Sequence, residues 1–367
     1  MAAHRDERVR EVLSLEPAPQ NPRNSEGDII ALRPFRATLS PDQVGANWRD
    51  GRLLLAYSHF TAGSGDNAQA HIAARFSKDG GWTWGDDIAL FPREGAMNDM
   101  SVSLLRMSSG DIALFYLVKH STRDCRAFMR VSRDEAQSWS DPKLVIPEIG
   151  YYVVNNARVV QLRSGRIVVP AALHDWPSEN ERLSPGIAMC FLSDDEGNTW
   201  RRSKSVLEPP AGSASGLQEP GIIELKSGAL LMLCRTDQGV QFRSHSEDGG
   251  DTWSPAEPSG IASPCSPATL RRLPKTGELL MIWNDHSGEF AEFGQKRTPL
   301  TTAISRDEGK TWTNRKILED DPDGWFCYIS CTFVGDAAFV SYCAGDKAVG
   351  RLNRLRLLRI GQSWFSE

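Results

Sequence analysis

The sequence predicts an all-β protein folded as a six-bladed β-propeller, and three observations lead to this prediction. An eight-residue pattern, S-x-D-x-G-x-T-W, occurs five times, at Ser77–Trp84, Ser132–Trp139, Ser193–Trp200, Ser246–Trp253 and Ser305–Trp312. The aspartates of the pattern are spaced 53 to 61 residues apart, a period typical of repeated four-stranded sheets. Long segments with the 3.6-residue period of a helix are absent.

The residue types of the repeat are those of a tight turn beside a hydrophobic core. Aspartate accepts hydrogen bonds from backbone N–H groups two or three residues on, and glycine tolerates a positive φ. Tryptophan buries a large surface, and five of the 11 tryptophans occupy this one slot. The repeat therefore predicts stabilisation of the fold, and the chemistry has to come from other residues.

Short apolar runs joined by polar glycine turns surround each repeat and predict β-hairpins. Gly221–Leu225 and Ala229–Cys234 form one such pair. Each unit then offers about four strands, and 367 residues hold about six units. The sixth unit, residues 326–360, lacks the repeat, so an N-terminal strand near Val9–Leu15 or Ile29–Leu32 is expected to complete it.

The whole chain, residues 1–367, is predicted to form a single propeller domain, because all-β folds often exceed the usual length of about 150 residues per domain. Glu7–Leu15 is the one segment whose pattern also permits a short helix. Residues 33–47 form an apparent insertion between two hairpin strands.

Composition and charge exclude several classes of function. A net charge of −5 argues against a nucleic-acid partner, and the apolar runs are far shorter than the ~20 residues that span a membrane. The N-terminal residues have no apolar stretch after their charges, which predicts a cytoplasmic protein unless a leader was removed. The 7 cysteines are scattered without a CxxC pair, so we expect no disulfide framework, no metal and no cofactor.

The five repeats resemble the Asp-boxes of sialidases (neuraminidases), and the resemblance covers nearly the whole chain. Non-catalytic propellers also carry Asp-boxes, so the residues between the repeats make the comparison more specific. Sialidases bind the substrate carboxylate with three arginines, and they use an Asp acid/base and a Tyr nucleophile paired with a Glu. The resemblance implies an exo-sialidase-like glycoside hydrolase of the bacterial type that removes a terminal nonulosonic (sialic) acid.

Two segments resemble the family's arginine-bearing strands. In Gln218–Arg235 a Glu opens one strand and an Arg ends the next, as in the family segment with the catalytic Glu. The resemblance therefore assigns Glu219 to catalysis and Arg235 to the substrate carboxylate. Arg297 leads into the strand before the last repeat, the place of the family's third arginine.

The remaining candidates lie at other strand starts. Tyr328 in Gly324–Ser330 resembles the nucleophile, and Asp66, ahead of the first unit's third strand, resembles the acid/base. Arg23 precedes the first apolar strand, although the family's Arg-Ile-Pro motif is missing there. His71, five residues beyond Asp66, is a further candidate for substrate binding. Each candidate also has a plain structural interpretation as a turn, strand-end or core residue.

Other polar residues near predicted inner strands could line the same pocket; they are Asn98, Asp99, Asn155, Asn156, Arg158, His174, Asp237, Asn284, Asp285 and His286.

These residue types suit a sugar whose anomeric carbon carries a carboxylate. Arginine binds carboxylates with two parallel hydrogen bonds and stays charged at any working pH. A carboxylate nucleophile would repel the substrate, whereas a neutral Tyr would not, and a Glu can take its proton. An Asp on the other side can protonate the leaving oxygen and then activate water.

Two alternatives stay open from the sequence. One is a propeller glycosidase or polysaccharide lyase that acts on another acidic sugar without a Tyr nucleophile. The other is a non-catalytic Asp-box protein that binds carbohydrate. The expected partner is in each case an acidic sugar, in the leading hypothesis a sialoglycoconjugate, and the sequence leaves the oligomeric state open.

Overall fold

The computed structural model describes residues 6–33, 51–178 and 180–367 and is all-β over these ranges, as predicted. The insertion predicted at residues 33–47 lies, apart from its first residue, outside the described residues. Two short helices accompany the strands: a 3-10 helix at Gly288–Phe293 and α1 at Ser363–Ser366.

The strands of the described residues, in chain order, are β1 Val9–Leu15, β2 Arg23–Ala31, β3 Leu53–Ala62, β4 Gln69–Ser77, β5 Ile88–Ala89, β6 Asn98–Arg106, β7 Ile112–Ser121, β8 Asp124–Ser132, β9 Lys143–Leu144, β10 Tyr151–Val153, β11 Val160–Gln161, β12 Ile167–His174, β13 Ile187–Ser193, β14 Arg201–Arg202, β15 Gln218–Glu224, β16 Leu230–Arg235, β17 Val240–Ser246, β18 Glu257–Ala262, β19 Thr269–Arg272, β20 Leu279–Asn284, β21 Leu300–Ser305, β22 Thr313–Glu319, β23 Trp325–Val334, β24 Ala337–Gly345 and β25 Leu355–Gly361.

Consecutive strands pair antiparallel in small groups. β15 to β18 form one four-stranded sheet in chain order, β19 to β22 form another, and β23 to β25 form a third together with β1. The groups β2–β5, β6–β9 and β10–β14 share one 13-stranded sheet, in which parallel bridges at Ala70↔Asn98 and Tyr151↔Cys125 join them. The chain is therefore a series of small antiparallel units in a propeller-like arrangement.

The N-terminal segment is a strand and not a helix. β1 runs antiparallel to β25, with Val9 opposite Ile360 and Leu15 opposite Leu355. The unpaired N–H and C=O groups at the edge of β25 are satisfied by this pairing, which a helix could not provide. The alternative strand Ile29–Leu32 lies mostly within β2, the first strand of the first unit.

The repeats form turns between the third and fourth strands of their units. In the first copy the Ser77 hydroxyl donates to Asp79 Oδ1 at 2.9 Å, and the same oxygen accepts the Thr83 backbone N–H at 3.0 Å. The Thr83 hydroxyl donates to Asp79 Oδ2 at 2.6 Å. The other four copies repeat this set of bonds.

The glycine of the repeat is required for two reasons. Gly81 has a φ of 82°, and a Cβ there would lie 2.2 Å from the ring of Phe339. Ala136 occupies the same slot of the second copy at a φ of 66°, a conformation that costs a non-glycine residue roughly 1–2 kcal/mol.

Hydrophobic cores lie between neighbouring units. Phe115 of β7 packs in one cluster with Phe191 of β13, which belongs to the next unit. Leu55 of β3 shares a cluster with Phe339 of β24 and Leu357 of β25. The last unit thus packs against the first.

Candidate active site

One pocket opens where the first strands of several units meet. Four of its lining residues, Glu26, Ser101, Glu219 and Tyr328, lie in β2, β6, β15 and β23. Each lies at a β-bulge and has a positive φ between 48° and 61°. A bulge breaks the regular alternation of side chains, and here it turns all four toward the pocket.

Arg23 is fully buried at the start of β2 and forms ion pairs with two carboxylates. Its Nη1 donates to Asp66 Oδ1 at 2.6 Å, and its Nη2 donates to Glu26 Oε1 at 3.0 Å. Its Nε donates to the Ser25 hydroxyl at 2.9 Å, and the Ser101 hydroxyl donates to Glu26 Oε2. The guanidinium group is therefore held rigidly between two carboxylates and a hydroxyl group.

Asp66 lies in the loop of residues 63–68 between β3 and β4, and 56% of its side chain is exposed. Its partial burial raises the pKa of Asp66, but the charge and hydrogen bond of Arg23 outweigh that effect. Lys119 and Arg297 act in the same direction, so the pKa of Asp66 lies below its usual range. The carboxyl group is consequently ionised at neutral pH in this arrangement.

Glu219 and Arg235 form a third ion pair at the site. Gln218 and Arg235 are opposite each other on β15 and β16, which brings Arg235 Nη1 to 2.7 Å from Glu219 Oε1. Arg235 Nε donates to Cys265 Sγ at 3.1 Å. Glu219 Oε2 is buried and has no hydrogen-bond partner among the described residues, so this oxygen is available as a proton acceptor.

Arg297 lies against Tyr328. Its guanidinium carbon is 5.2 Å from the centre of the Tyr328 ring and 5.4 Å from that of Trp325. The Nε and Nη1 atoms of Arg297 are buried and lack an acceptor within the described ranges. Leaving such donors unpaired is costly, so the site favours a ligand that supplies an anionic acceptor.

Burial raises the pKa of the Tyr328 hydroxyl well above its usual value. The negative charge of Glu219 adds to the increase, while Arg297 and Arg235 oppose it. Tyr328 is therefore neutral at physiological pH and needs a base to become a nucleophile.

Four of the seven candidate residues line this pocket: Asp66, Glu219, Arg235 and Tyr328. Arg23 and Arg297 are not lining residues but contact two of them, Arg23 through its hydrogen bond to Asp66 and Arg297 through the Tyr328 ring. The expected hydrogen bond between Tyr328 and Glu219 is not formed in the described part of the chain, and the Tyr328 hydroxyl donates to no other described residue. Arg235 holds the Glu219 carboxylate through Oε1, and Oε2 has no hydrogen-bond partner among the described residues.

His71 is not among the residues that line the pocket, contrary to the expectation from its sequence position. It lies opposite His59 on β3 and β4, with the two rings 4.9 Å apart. Asp87 and Arg93 face it there. Its neighbours are thus these three side chains and not the residues that line the pocket.

Some residues that line the pocket were not predicted from the sequence, and others were predicted only as polar residues that could line it. Glu26, Lys119 and Tyr151 line the pocket and were not proposed, whereas Asn155 and His174 were among the polar candidates. One signal could have identified Lys119: it directly follows an apolar run of sequence, residues 112–118, as Arg235 follows Ala229–Cys234. Glu26 gave no such signal.

Among the described residues, no group of three or more His, Cys, Asp and Glu side chains is placed to hold a metal ion. No helix in the described ranges is long and apolar enough to cross a membrane.

Comparison with known proteins relates this chain to one family. A family model described as BNR repeat-like domain matches residues 51–342. A sialidase of Micromonospora viridifaciens is 24% identical over 335 residues, which covers 79% of this chain and 47% of the relative. The chain thus spans about half the length of that relative.

Two solved structures share the fold. An intramolecular trans-sialidase from Ruminococcus gnavus, in complex with oseltamivir carboxylate, superposes with a TM-score of 0.70 at 15% identity, covering 97% of this chain and 98% of that one. A protein of unknown function from Dyadobacter fermentans gives a TM-score of 0.70 at 18% identity, covering 97% and 100% of the two chains.

Proposed function

Because this chain belongs to the BNR repeat-like domain family, within the sialidase superfamily, we propose that it is an exo-acting, sialidase-like glycoside hydrolase. Its substrate is a terminal nonulosonic (sialic) acid on a glycoconjugate. The observation that carries the proposal is Arg297, whose buried and unpaired N–H groups lie beside Tyr328. A substrate carboxylate is the partner that a guanidinium group binds best.

The proposal includes the number of blades and the division into domains. The antiparallel units and the packing of the last unit on the first support a single six-bladed propeller domain. The five repeats are its Asp-boxes, placed between third and fourth strands, where they stabilise the turns and leave the pocket to the first strands.

The substrate carboxylate binds to Arg23, Arg235 and Arg297. Arg297 supplies unpaired donors, whereas the carboxylate has to displace Asp66 from Arg23 and Glu219 from Arg235. This exchange prepares the chemistry, because Asp66 loses the ion pair that lowers its pKa. It can then carry the proton that a general acid needs, and Glu219 is released toward Tyr328.

In the first step the Tyr328 oxygen attacks the anomeric carbon and its proton passes to Glu219. The bond from the anomeric carbon to the leaving oxygen breaks with its electron pair on that oxygen, which takes the proton of Asp66. The product is a covalent tyrosyl glycoside and a free alcohol.

In the second step Asp66 removes a proton from water, and the resulting hydroxyl oxygen attacks the anomeric carbon. The bond to Tyr328 breaks, and the phenolate recovers its proton from Glu219. Two displacements on opposite faces retain the anomeric configuration, as expected for a glycosidase with a covalent intermediate.

A screen of fluorogenic α-ketosides of different nonulosonic acids, with the product mass recorded, tests the proposal. We expect turnover of at least one aryl ketoside and loss of turnover in Arg297→Ala. Free acid as product indicates hydrolysis, and a product lighter by one water indicates intramolecular transfer. Absence of turnover across the panel contradicts the proposal.

One observation favours a second candidate, an acidic-sugar protein in which Tyr328 is not a nucleophile. Glu219 is hydrogen-bonded to Arg235 and not to Tyr328. A lyase or another glycosidase for acidic sugars, or a binding protein, could use the same arginines. Unsaturated uronate products would indicate the lyase, and tight binding of an acidic sugar without any product would indicate the binding protein.

A further inference from the structure

Lys119 is a fully buried lysine that the proposed chemistry does not use. It lies in β7 with 1% of its surface exposed and lines the pocket. Within the described ranges no carboxylate lies within ion-pair distance of its ammonium group, which lies 5.1 Å from the centre of the Tyr151 ring. Burying an ammonium group without a counter-ion costs free energy. The hydrogen bonds that Lys119 makes therefore indicate its role.

Those contacts go to the loop that carries Asp66. Lys119 Nζ donates to the backbone oxygen of Asp66 at 2.7 Å and lies 3.4 Å from Asn67 Oδ1. Asn98 Nδ2 donates to the same Asp66 oxygen at 2.9 Å and to the Ala68 oxygen at 2.9 Å. Both lone pairs of the Asp66 carbonyl are therefore used by buried side chains.

The two donors act as a pair because of strand register. Asn98 on β6 and Lys119 on β7 are directly opposite each other, so their side chains point to the same side of the sheet. A third donor, Arg23 Nη1, holds the loop at the Ser64 oxygen at 3.2 Å. The loop of residues 63–68 is consequently held by side chains of three different strands.

We propose that Lys119 is a positioning residue for Asp66: together with Asn98 it fixes the Asp66 backbone so that the carboxyl group stays within reach of the leaving oxygen. This inference rests on the proposed function, in which Asp66 is the acid/base. Lys119 touches neither the carboxylate of Asp66 nor the reacting atoms in this assignment, and it acts through the loop and through its charge.

The charge gives the inference a pH signature. Lys119 helps to lower the pKa of Asp66, so its removal raises that pKa. Asp66 must be protonated to act in the first step, so the alkaline limb of kcat/KM follows this pKa. Without Lys119 the limb should therefore move to higher pH. The charged and titratable groups that face Asp66 are Arg23, Lys119, Arg297, Glu26, Tyr151 and Cys125.

Two variants separate the loop contact from the charge. Lys119→Met removes both, and it should fold, since replacing a buried charge by an apolar side chain of similar length removes a desolvation cost. Asn98→Ala removes the hydrogen bonds to the same Asp66 oxygen and to the Ala68 oxygen without changing the charge. Lys143→Met, at an exposed lysine of β9 that contacts Asn198, is the matched control.

The experiment measures kcat/KM against pH for an alkyl and an aryl ketoside. A misplaced general acid costs about 100-fold where protonation is needed. Lys119→Met and Asn98→Ala should therefore lose on the order of 10²-fold on the alkyl ketoside and about threefold or less on the aryl one. The alkaline limb should move only in Lys119→Met, and Lys143→Met should resemble the unchanged protein.

A double variant completes the test. In an Asp66→Asn background, Lys119→Met should add less than about threefold, since both changes disable the same group. Equal losses on both ketosides, or additive losses in the double variant, would overturn the inference and indicate a substrate contact or a general effect on the fold.

One measurement does not depend on activity. In protein labelled with ¹³C at the aspartate carboxyl groups, the Asp66 resonance, assigned with Asp66→Asn, should titrate at higher pH in Lys119→Met but not in Asn98→Ala. If the unchanged protein turns over neither ketoside, the proposed function fails. An unaltered Asp66 titration in Lys119→Met overturns the Lys119 inference by itself.

Discussion

Tyr328→Phe separates catalysis from binding more cleanly than any other single change in the pocket. The variant removes one hydroxyl group that donates no hydrogen bond to a described residue. The remaining ring keeps its position 5.2 Å from Arg297, so the arginine that carries the proposal is undisturbed. The loss of unfolding free energy should therefore stay below about 1 kcal/mol.

The catalytic loss should be far larger. Removing the nucleophile of a covalent mechanism costs several orders of magnitude, and a decrease of about 10⁴-fold in kcat corresponds to about 5 kcal/mol of transition-state stabilisation. The affinity for a non-hydrolysable 2,3-unsaturated sialic acid should change by less than about threefold, because all three arginines remain.

The assay combines steady-state kinetics on an aryl ketoside with calorimetric binding of the unsaturated acid. Tyr152→Phe is the matched control, since Tyr152 is a buried tyrosine of β10 that packs on Phe191 outside the pocket. Near-wild-type turnover in Tyr328→Phe refutes the covalent mechanism. Loss of acid binding in the same variant refutes the assignment of the carboxylate to the arginines.

Three further predictions follow from the same contacts. Asp66→Asn should lose about 10²–10⁴-fold on an alkyl ketoside but much less on an aryl one, whose leaving group needs little protonation; equal losses in parallel kinetics would argue against its acid role. Arg297→Ala should weaken both acid binding and kcat/KM, because the carboxylate contact persists through the transition state; unchanged calorimetric affinity would contradict this. Asp195→Asn tests the repeat. Hydrogen bonds from the Thr199 hydroxyl and backbone N–H lower the pKa of Asp195 to about 2. The stabilisation that the ionised Asp195 gives to the folded protein is therefore complete above pH about 4 and is lost as the pH falls through 2. The difference in Tm between this variant and the unchanged protein should shrink over that range, and a difference independent of pH would disprove the assignment.

The sequence by itself determined the repeat turns and the pairing of nearby strands. In the third repeat, Ser193, Asp195 and Thr199 make all their defining bonds within seven residues of chain. Glu219 and Arg235 are likewise related by one hairpin, so their ion pair follows from the length of two strands. Interactions of this kind depend on local chain geometry, which residue type and spacing encode directly.

Only the tertiary structure decided how the pocket is built. Glu26, Glu219 and Tyr328 face it because β-bulges hold them at positive φ, a conformation that non-glycine residues avoid locally and that no residue pattern announces. The partners of Arg23 and Lys119 come from other strands and from the loop of residues 63–68. His71 packs on His59 and does not line the pocket. Its distance from Asp66 in the sequence could not fix this, because a shift of one residue along a strand reverses the side that a side chain faces. These side-chain positions depend on the strands that pack around the pocket. The interactions that stabilise them come from residues distant in the sequence.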